Sequence, residues 1–407
     1  MLNYTRVVLF FSINLVVYSA WAKKSDVYTY RTISEAGLSE WNVQVQNPLP
    51  KQSTPEKRLK KPFTELNVSK KVIALTQAIK KNPSLAHPKS IALIGDTGCR
   101  LKESKIKSSY QDCSDPLQWR YPEVINSLIQ DKPDLIIHVG DYHYREQCSP
   151  GKPCNKMSPE TGYDWAPWKL DFFEPSRKAF SFAPWVMVRG NHEDCSRAFL
   201  GYKLLLRNSE WKSECEEYEE PQVIVLGDLA IINLDSSSIS DMPEIAVGTD
   251  TLWKKRLDLL AEKLKTMKVQ RIWLVTHKPI YGLVSLGKAY APLNINLRKY
   301  FEATSWANKI ELILGGHIHN SQLTRALGFP LQLVIGNGGT SLDKYKEPLT
   351  AENISALGYE KAKMVFQDFG YALIKGLDSE KPTMEFHDSA GAIVFSCHLK
   401  DRGQDCF

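Results

Sequence analysis

The sequence predicts an α/β core, and three observations carry that reading. It contains eight short, nearly all-apolar runs, helical patterns between several of them, and glycine-bearing turns just after many of the same runs. A strand covered on both faces reads as a continuous apolar run, not as alternation. The runs are Ile91–Ile94, Leu135–Val139, Trp185–Val188, Val223–Leu226, Leu229–Leu234, Arg271–Val275, Ile310–Leu314 and Leu331–Ile335. Helical periodicity covers Leu117–Gln130, Trp165–Phe180 and Thr251–Met267, the last with Asp250 ahead of it as a cap. Tyr371–Leu377, Thr383–His387 and Ile393–His398 read as a β meander that pairs with or covers the sheet edge.

The segment before residue 91 has a different character. Arg6 precedes a mostly apolar run, Val7–Val17, and Ala20-Trp21-Ala22 places small residues where a signal peptidase reads. Residues 1–22 are therefore expected to be a signal peptide. The run is too short to span a bilayer, which takes about 20 apolar residues, and no later segment is long and apolar enough. Residues 23–90 read as a small accessory region: strands at Val27–Thr32 and Trp41–Gln46, a polar stretch Asn47–Lys61, a helix over Val68–Lys81 and a turn-rich link, Asn82–Lys89. Residues 91–407 form the main domain.

Composition narrows the class. The 407 residues are 43% apolar and 24% charged, which excludes disorder, collagen and coiled coil as descriptions of the whole chain. The net charge of +6 is mild, and its surplus is local, as at Lys57–Lys61 and Lys70–Lys71. A nucleic-acid partner is not expected from so small a surplus. All eight cysteines follow the expected cleavage site. Eight cysteines allow about a hundred connectivities; because neighbours fall close together, sequential pairs are expected, Cys99–Cys113, Cys148–Cys154, Cys195–Cys215 and Cys397–Cys406. No Cys-x-x-Cys knuckle supports a zinc alternative. An oxidising compartment follows, so the protein is expected to be secreted or periplasmic.

Five apolar runs lead into a metal-capable side chain. They run into Gly95-Asp96, into Gly140-Asp141-Tyr142-His143-Tyr144, through Arg189 into Gly190-Asn191-His192-Glu193, through Thr276 to His277, and into Gly315-Gly316-His317-Ile318-His319. In α/β sheets ligands bind outside the carboxyl ends of strands, and a glycine turn lets the next side chain point into that crevice. Asp96, Asp141, Tyr144, Asn191, His277, His317 and His319 thus converge on one rim. Singly, Gly-Asp is more often a turn and a lone histidine more often a hydrogen-bonded core residue. The signal is the recurrence of all five in order.

These motifs resemble the calcineurin-like metallophosphoesterase superfamily, and specifically its purple acid phosphatase-like branch, with local details similar to exported bacterial members. The resemblance covers roughly residues 91–400, and Tyr144, three after Asp141, is the residue that marks the branch. It implies a four-layer α/β/β/α sandwich holding two metal ions. By that resemblance Asp96, Asp141, Tyr144 and His319 hold iron(III), while Asp141 as bridge, Asn191, His277 and His317 hold a divalent zinc, manganese or iron. Hard iron(III) suits carboxylate and phenolate oxygen, and imidazole suits zinc or iron(II). The implied activity is hydrolysis of phosphate monoesters by a metal-bound hydroxide, since binding to zinc lowers the pKa of water to about 7. His192 is the implied catalytic residue, with a supporting structural role as the alternative reading. Arg100 and Arg145 are candidates to hold the phosphate, and a salt bridge is the alternative for each. A phosphate ester is the expected partner, with no membrane contact after signal cleavage. The competing readings are a phosphodiesterase or nucleotidase with the same site, and a secreted non-catalytic metal-binding protein.

Some features depart from the pattern or lie outside it. Plant members have further histidines shortly after the position of His277, whereas Lys278-Pro279-Ile280-Tyr281-Gly282 has none. Gly282 to Lys288 matches most of a phosphate-binding Walker loop but ends in Ala289, with Pro292 soon after. His143 alternates with Tyr142 and Tyr144 and so is expected to point away from the metals or to support them from outside. His87, His387 and His398 lie off the motif ends and read as structural, and Asp235 reads as a turn or a support.

Overall fold

The computed structural model describes residues 26–45, 66–102, 109–207, 214–241, 249–287, 289–399 and 403–407. The expected signal peptide and the polar stretch Asn47–Lys61 lie outside the described residues.

In chain order the strands are β1 (Val27–Ser34), β2 (Gly37–Val45), β3 (Leu66–Ile73), β4 (Ser90–Ile94), β5 (Leu101–Lys102), β6 (Ser109–Tyr110), β7 (Leu135–His138), β8 (Trp185–Met187), β9 (Gln222–Leu226) and β10 (Leu229–Asn233). They continue with β11 (Arg271–Val275), β12 (Leu283–Leu286), β13 (Ala289–Pro292), β14 (Leu312–Gly315), β15 (Ser321–Arg325), β16 (Leu331–Ile335), β17 (Lys361–Phe366), β18 (Gly370–Lys375), β19 (Thr383–Asp388) and β20 (Ile393–His398). Nine strands form one sheet in the order β20-β19-β18-β4-β7-β8-β1-β2-β3, and seven form a second, β17-β15-β16-β14-β11-β10-β9.

Side-chain alternation explains why these runs are apolar throughout. In the first sheet Ile91, Leu93, Leu135 and Ile137 face the second sheet, where they meet Ile231, Trp273, Val275, Leu312 and Leu314. The residues between them, Ala92, Ile94 and Ile136, face outward onto Val124, Ile125, Trp168, Phe172 and Tyr202 of the covering helical segments. In the second sheet Ala230, Ile232, Leu274 and Ile313 meet Trp253, Leu257, Leu260 and Phe301 of the helices Thr249–Lys265 and Ile295–Glu302. Helices, sheet, sheet, helices: this is the expected four-layer order. Each large aliphatic buried this way contributes about 1.5–3 kcal/mol, so neither face of a central strand tolerates charge.

The N-terminal strands differ from expectation in one respect. The helix expected over Val68–Lys81 is a strand and then a helix. Val68–Ile73 belongs to β3, paired antiparallel with β2 from Leu66↔Val45 to Ile73↔Leu38, and the helix covers only Leu75–Lys81. Leu66 and Val68 alternate toward the core, a period of two that adjacent Lys70 and Lys71 obscure. Through β1, which runs parallel to β8 at Thr32↔Trp185, these strands extend the first sheet. Strands β15 and β17, and the hairpin β12–β13, escaped the sequence reading. In β15 buried Ser321, Gln322 and Thr324 replace apolar residues, and their side chains hydrogen-bond to Asn337, Leu283 O and Tyr281 O. The Walker-like stretch is this hairpin, not a strand-to-helix phosphate loop.

All four expected disulfides form: Cys99–Cys113, Cys148–Cys154, Cys195–Cys215 and Cys397–Cys406. Three of them close loops that leave the ends of β4, β7 and β8. Behind the β8 loop, buried Arg189 donates to Glu193 O and pairs with Asp235 at 3.1 Å, and Asp235 accepts the Glu219 N–H. Glu219 in turn sits 2.6 Å from Arg207 and 2.9 Å from Lys203. Burial pushes the Glu219 carboxyl up, but Arg207 and Lys203 outweigh it and hold the group below its ordinary 4.5.

A carboxyl depressed in the folded state adds stability above its unfolded pKa and loses it as pH falls through the folded value. Glu219→Gln is therefore expected to cost about 3 kcal/mol at pH 7. Thermal melts of both proteins should converge as the pH drops below 4.5; a gap that persists in acid contradicts the assignment.

Candidate metal centre

Strands β4, β7 and β8 run parallel in the first sheet, and β10, β11, β14 and β16 run parallel in the second. The carboxyl ends of both sets open on one rim. The turns there are tight. Asp96, Asp141 and His317 have φ of 55°, 57° and 69°, a left-handed conformation that non-glycine residues adopt at a cost and that clusters at functional sites. A Cβ on Gly190 would stand 2.1 Å from Asp141 Oδ1, and one on Gly140 would stand 2.6 Å from His277 Nδ1. Only glycine lets the β7, β8 and β11 turns approach so closely.

The turns bring the seven predicted donors together in two groups that share Asp141. In the first, Tyr144 Oη lies 3.0 Å from Asp96 Oδ1, 2.7 Å from Asp141 Oδ2 and 3.1 Å from His319 Nε2. In the second, His277 Nε2 lies 2.9 Å from Asn191 Oδ1 and 3.2 Å from Asp141 Oδ2. His317 completes this group, with one ligand atom each from Asp141, His277 and His317 mutually within 4.8 Å. Two donors about 2.1 Å from a common cation, at right-angled to tetrahedral spacing, lie about 3.0–3.4 Å apart. The separations observed are close to that range. The donor set also fits chemically, with oxygen-rich ligands on one side and imidazoles on the other.

Orientation of the rings supports the same use. His277 Nδ1 lies 2.8 Å from Val139 O and His319 Nδ1 lies 2.8 Å from Ser341 O. A carbonyl only accepts, so Nδ1 carries a hydrogen and Nε2 is the nitrogen turned to the donor cluster, where a cation would take the place of any proton. The electrostatics show a site short of positive charge. Burial, reinforced by Asp141, lifts the Asp96 carboxyl well above its usual range. At Asp141 burial acts the same way, but His277 and His192 outweigh it and hold the carboxyl well below. Burial depresses His277, yet Asp141 overrides it and lifts the ring to about 9. Burial, with Arg100 adding to it, pushes His319 down to about 3.

The remaining predicted residues divide. His192 stands beside the cluster, its Nε2 3.9 Å from Asp141 Oδ2 and its Nδ1 2.8 Å from Glu146 Oε1. Burial opposes ionisation of Glu146, but His192 and Arg197 hold it down at about 2. Arg100 is half-buried, with its guanidinium 5.7 Å from the Tyr144 ring centre. Arg145 corrects the expectation of a phosphate contact. Its side chain is buried, pairs with Asp171 at 2.6 Å and lies over Trp119, so its charge is already spent inside the fold. His143 packs against Tyr163 and Trp168, away from the cluster as expected.

Two acids that the sequence reading did not single out shape the turns. Glu193 is buried, and its oxygens accept the N–H groups of Asp141, Tyr142, His143 and Gly190. Asp171 accepts those of Cys99, Tyr144 and Arg145. Glu193 had a signal, being the acid directly after Asn191-His192. Asp171 had none, since it lies within a helical pattern.

The chain is similar to proteins already known. The family model for calcineurin-like phosphoesterases matches residues 89–321. Purple acid phosphatase 18 of Arabidopsis thaliana is 23% identical over 262 residues, or 60% of this chain, which spans 57% of that protein's length. A solved structure of PhoD superposes with a TM-score of 0.55 at 12% identity, covering 93% of this chain and 90% of that one, and so shares its fold. The purple acid phosphatase PPD1 from yellow lupin seeds gives 0.49 at 13% identity, over 88% of this chain and 58% of that one.

The Glu193 clamp can be tested without metal. Glu193→Gln turns an amide N–H₂ toward backbone donors, and an unmet buried donor costs about 1–3 kcal/mol. In chelator, urea denaturation should show the variant about 2 kcal/mol less stable; wild-type stability would show that the turns hold without the clamp.

Proposed function

This chain belongs to the calcineurin-like phosphoesterase family, and we propose that it is an exported, dinuclear-metal phosphatase that hydrolyses phosphate monoesters. The observation that carries the reading is the phenol of Tyr144 in contact with Asp96, Asp141 and His319 at once. A phenolate beside two carboxylates suits a hard trivalent ion, so we assign iron(III) to these four residues. A divalent zinc, manganese or iron is assigned to Asp141, Asn191, His277 and His317. Bound there, the pair supplies Lewis-acid activation of a water and neutralisation of phosphate charge.

The chain's own residues supply the rest. Glu146 Oε1 stands 2.8 Å from His192 Nδ1 as its counter-charge, and the ring turns Nε2 to the donors from the rim. In its imidazolium form His192 is placed to give the Nε2 proton to the departing ester oxygen, a contribution of about 10²–10⁴. Arg100 is the cation on the first group's side and is assigned to the phosphate oxygens. The purple acid phosphatase-like reading is supported by the relative in Arabidopsis thaliana. Export is supported by the four disulfides and by the apolar leader. Among the described residues no helix is long and apolar enough to cross a membrane.

Asp141→Ala is expected to lose both metal retention and hydrolysis, the latter by about 10³-fold or more, as several kcal/mol of stabilisation disappear. A metal-replete, active variant overturns the reading. Glu146→Gln should keep its metal while kcat falls about 10–100-fold, and a full-rate variant removes Glu146 from the mechanism. Monoester and diester nitrophenyl phosphates compared side by side should favour the monoester; diester preference would make the protein a phosphodiesterase with the same site.

A further inference from the structure

The loop after β10 leaves the second sheet from the same edge as the loops that carry His277 and His317. It is pinned there. Leu234 N–H donates to Val275 O. Ser236 Oγ receives the Thr276 hydroxyl at 2.6 Å and the Lys278 N–H at 2.9 Å. Lys278, a buried lysine directly after His277, donates to Ile239 O. The loop therefore delivers Asp241 to the rim with its path fixed at three points.

Asp241 Oδ1 is shielded from solvent and makes no aligned hydrogen bond. It stands 3.2 Å from His317 Nε2 and 2.8 Å from Lys278 Nζ. The first distance falls within the about 3.0–3.4 Å expected of two donors around one cation, and it equals the 3.2 Å between His277 Nε2 and Asp141 Oδ2. Lys278 lies at the same oxygen, and a carboxylate oxygen has lone pairs for both a lysine and an ion. Lys278 also cancels the charge that Asp241 brings, so the centre keeps its attraction for a phosphate dianion.

We propose that Asp241 is a further protein ligand of the cation held by Asp141, Asn191, His277 and His317. The inference rests on the two-cation reading above and adds to it a donor that lies outside the motif ends, seven residues beyond Leu234 with no glycine between them.

The test is calorimetric titration of the metal-free full chain with zinc alone, for wild type and Asp241→Asn. The expected result is binding at least about 10-fold weaker in the variant, with the fold intact by near-ultraviolet circular dichroism. Wild-type affinity in a folded variant overturns the proposal and leaves Asp241 as the counter-charge of Lys278. Wild-type protein that takes up no zinc would instead overturn the two-cation reading itself. A crystal structure of zinc-loaded wild type decides the matter should Asp241→Asn fail to fold. Asp241 within about 2.2 Å of zinc is expected, and a carboxylate beyond hydrogen-bond distance of the ion contradicts it.

Discussion

The structure depends on one electrostatic problem: Asp96 and Asp141, both removed from water, stand against the same phenol oxygen. Buried carboxylates are not stable as a bare pair; they take up protons, recruit cations or shift apart in pKa. Without a metal ion the solution is the third, with Asp96 driven up and Asp141 held down by neighbouring imidazoles. With cations in place both can ionise. The centre is thus built to be completed by positive charge, and its hydroxyl and imidazole donors are aimed to share that charge.

Keeping such a cluster assembled takes rigid surroundings, and the fold supplies them in layers. Two sheets bury their inner faces against each other, which fixes five strand ends relative to one another. Left-handed turns at Asp96, Asp141 and His317 then swing the side chains inward. Glu193 and Asp171 gather the backbone N–H groups of those turns, and three disulfides tie off the loops that follow. The chain of contacts from Glu219 through Asp235 and Arg189 ends on Glu193 O, and so backs the β8 turn that carries Asn191.

How much of this could be read from the sequence follows the range of the interactions. The central strands were legible because burial on both faces leaves an apolar run, and the donors were legible because glycine turns mark where such runs end. The ion pair of Arg145 with Asp171 was not, since its partner lies 26 residues away in a helix. Nor was the clamping role of Glu193, three of whose four backbone partners are about fifty positions distant. Strand β15 was invisible because all its buried side chains but Leu323 are polar, and partners distant in sequence satisfy Ser321, Gln322 and Thr324. Strand β3 reads as part of a helix because two adjacent lysines, Lys70 and Lys71, interrupt its alternation. Local composition thus disclosed the chemistry, whereas the supports that hold it needed coordinates.

The central claim is that Asp141 joins two cation sites, one oxygen-rich and one imidazole-rich. Anomalous diffraction from crystals of the natively loaded protein tests it most directly. Two peaks are predicted, an iron signal among Asp96, Asp141, Tyr144 and His319 and a second metal beside Asn191, His277 and His317, with Asp141 touching both. A single peak, or peaks away from Asp141, would contradict the account.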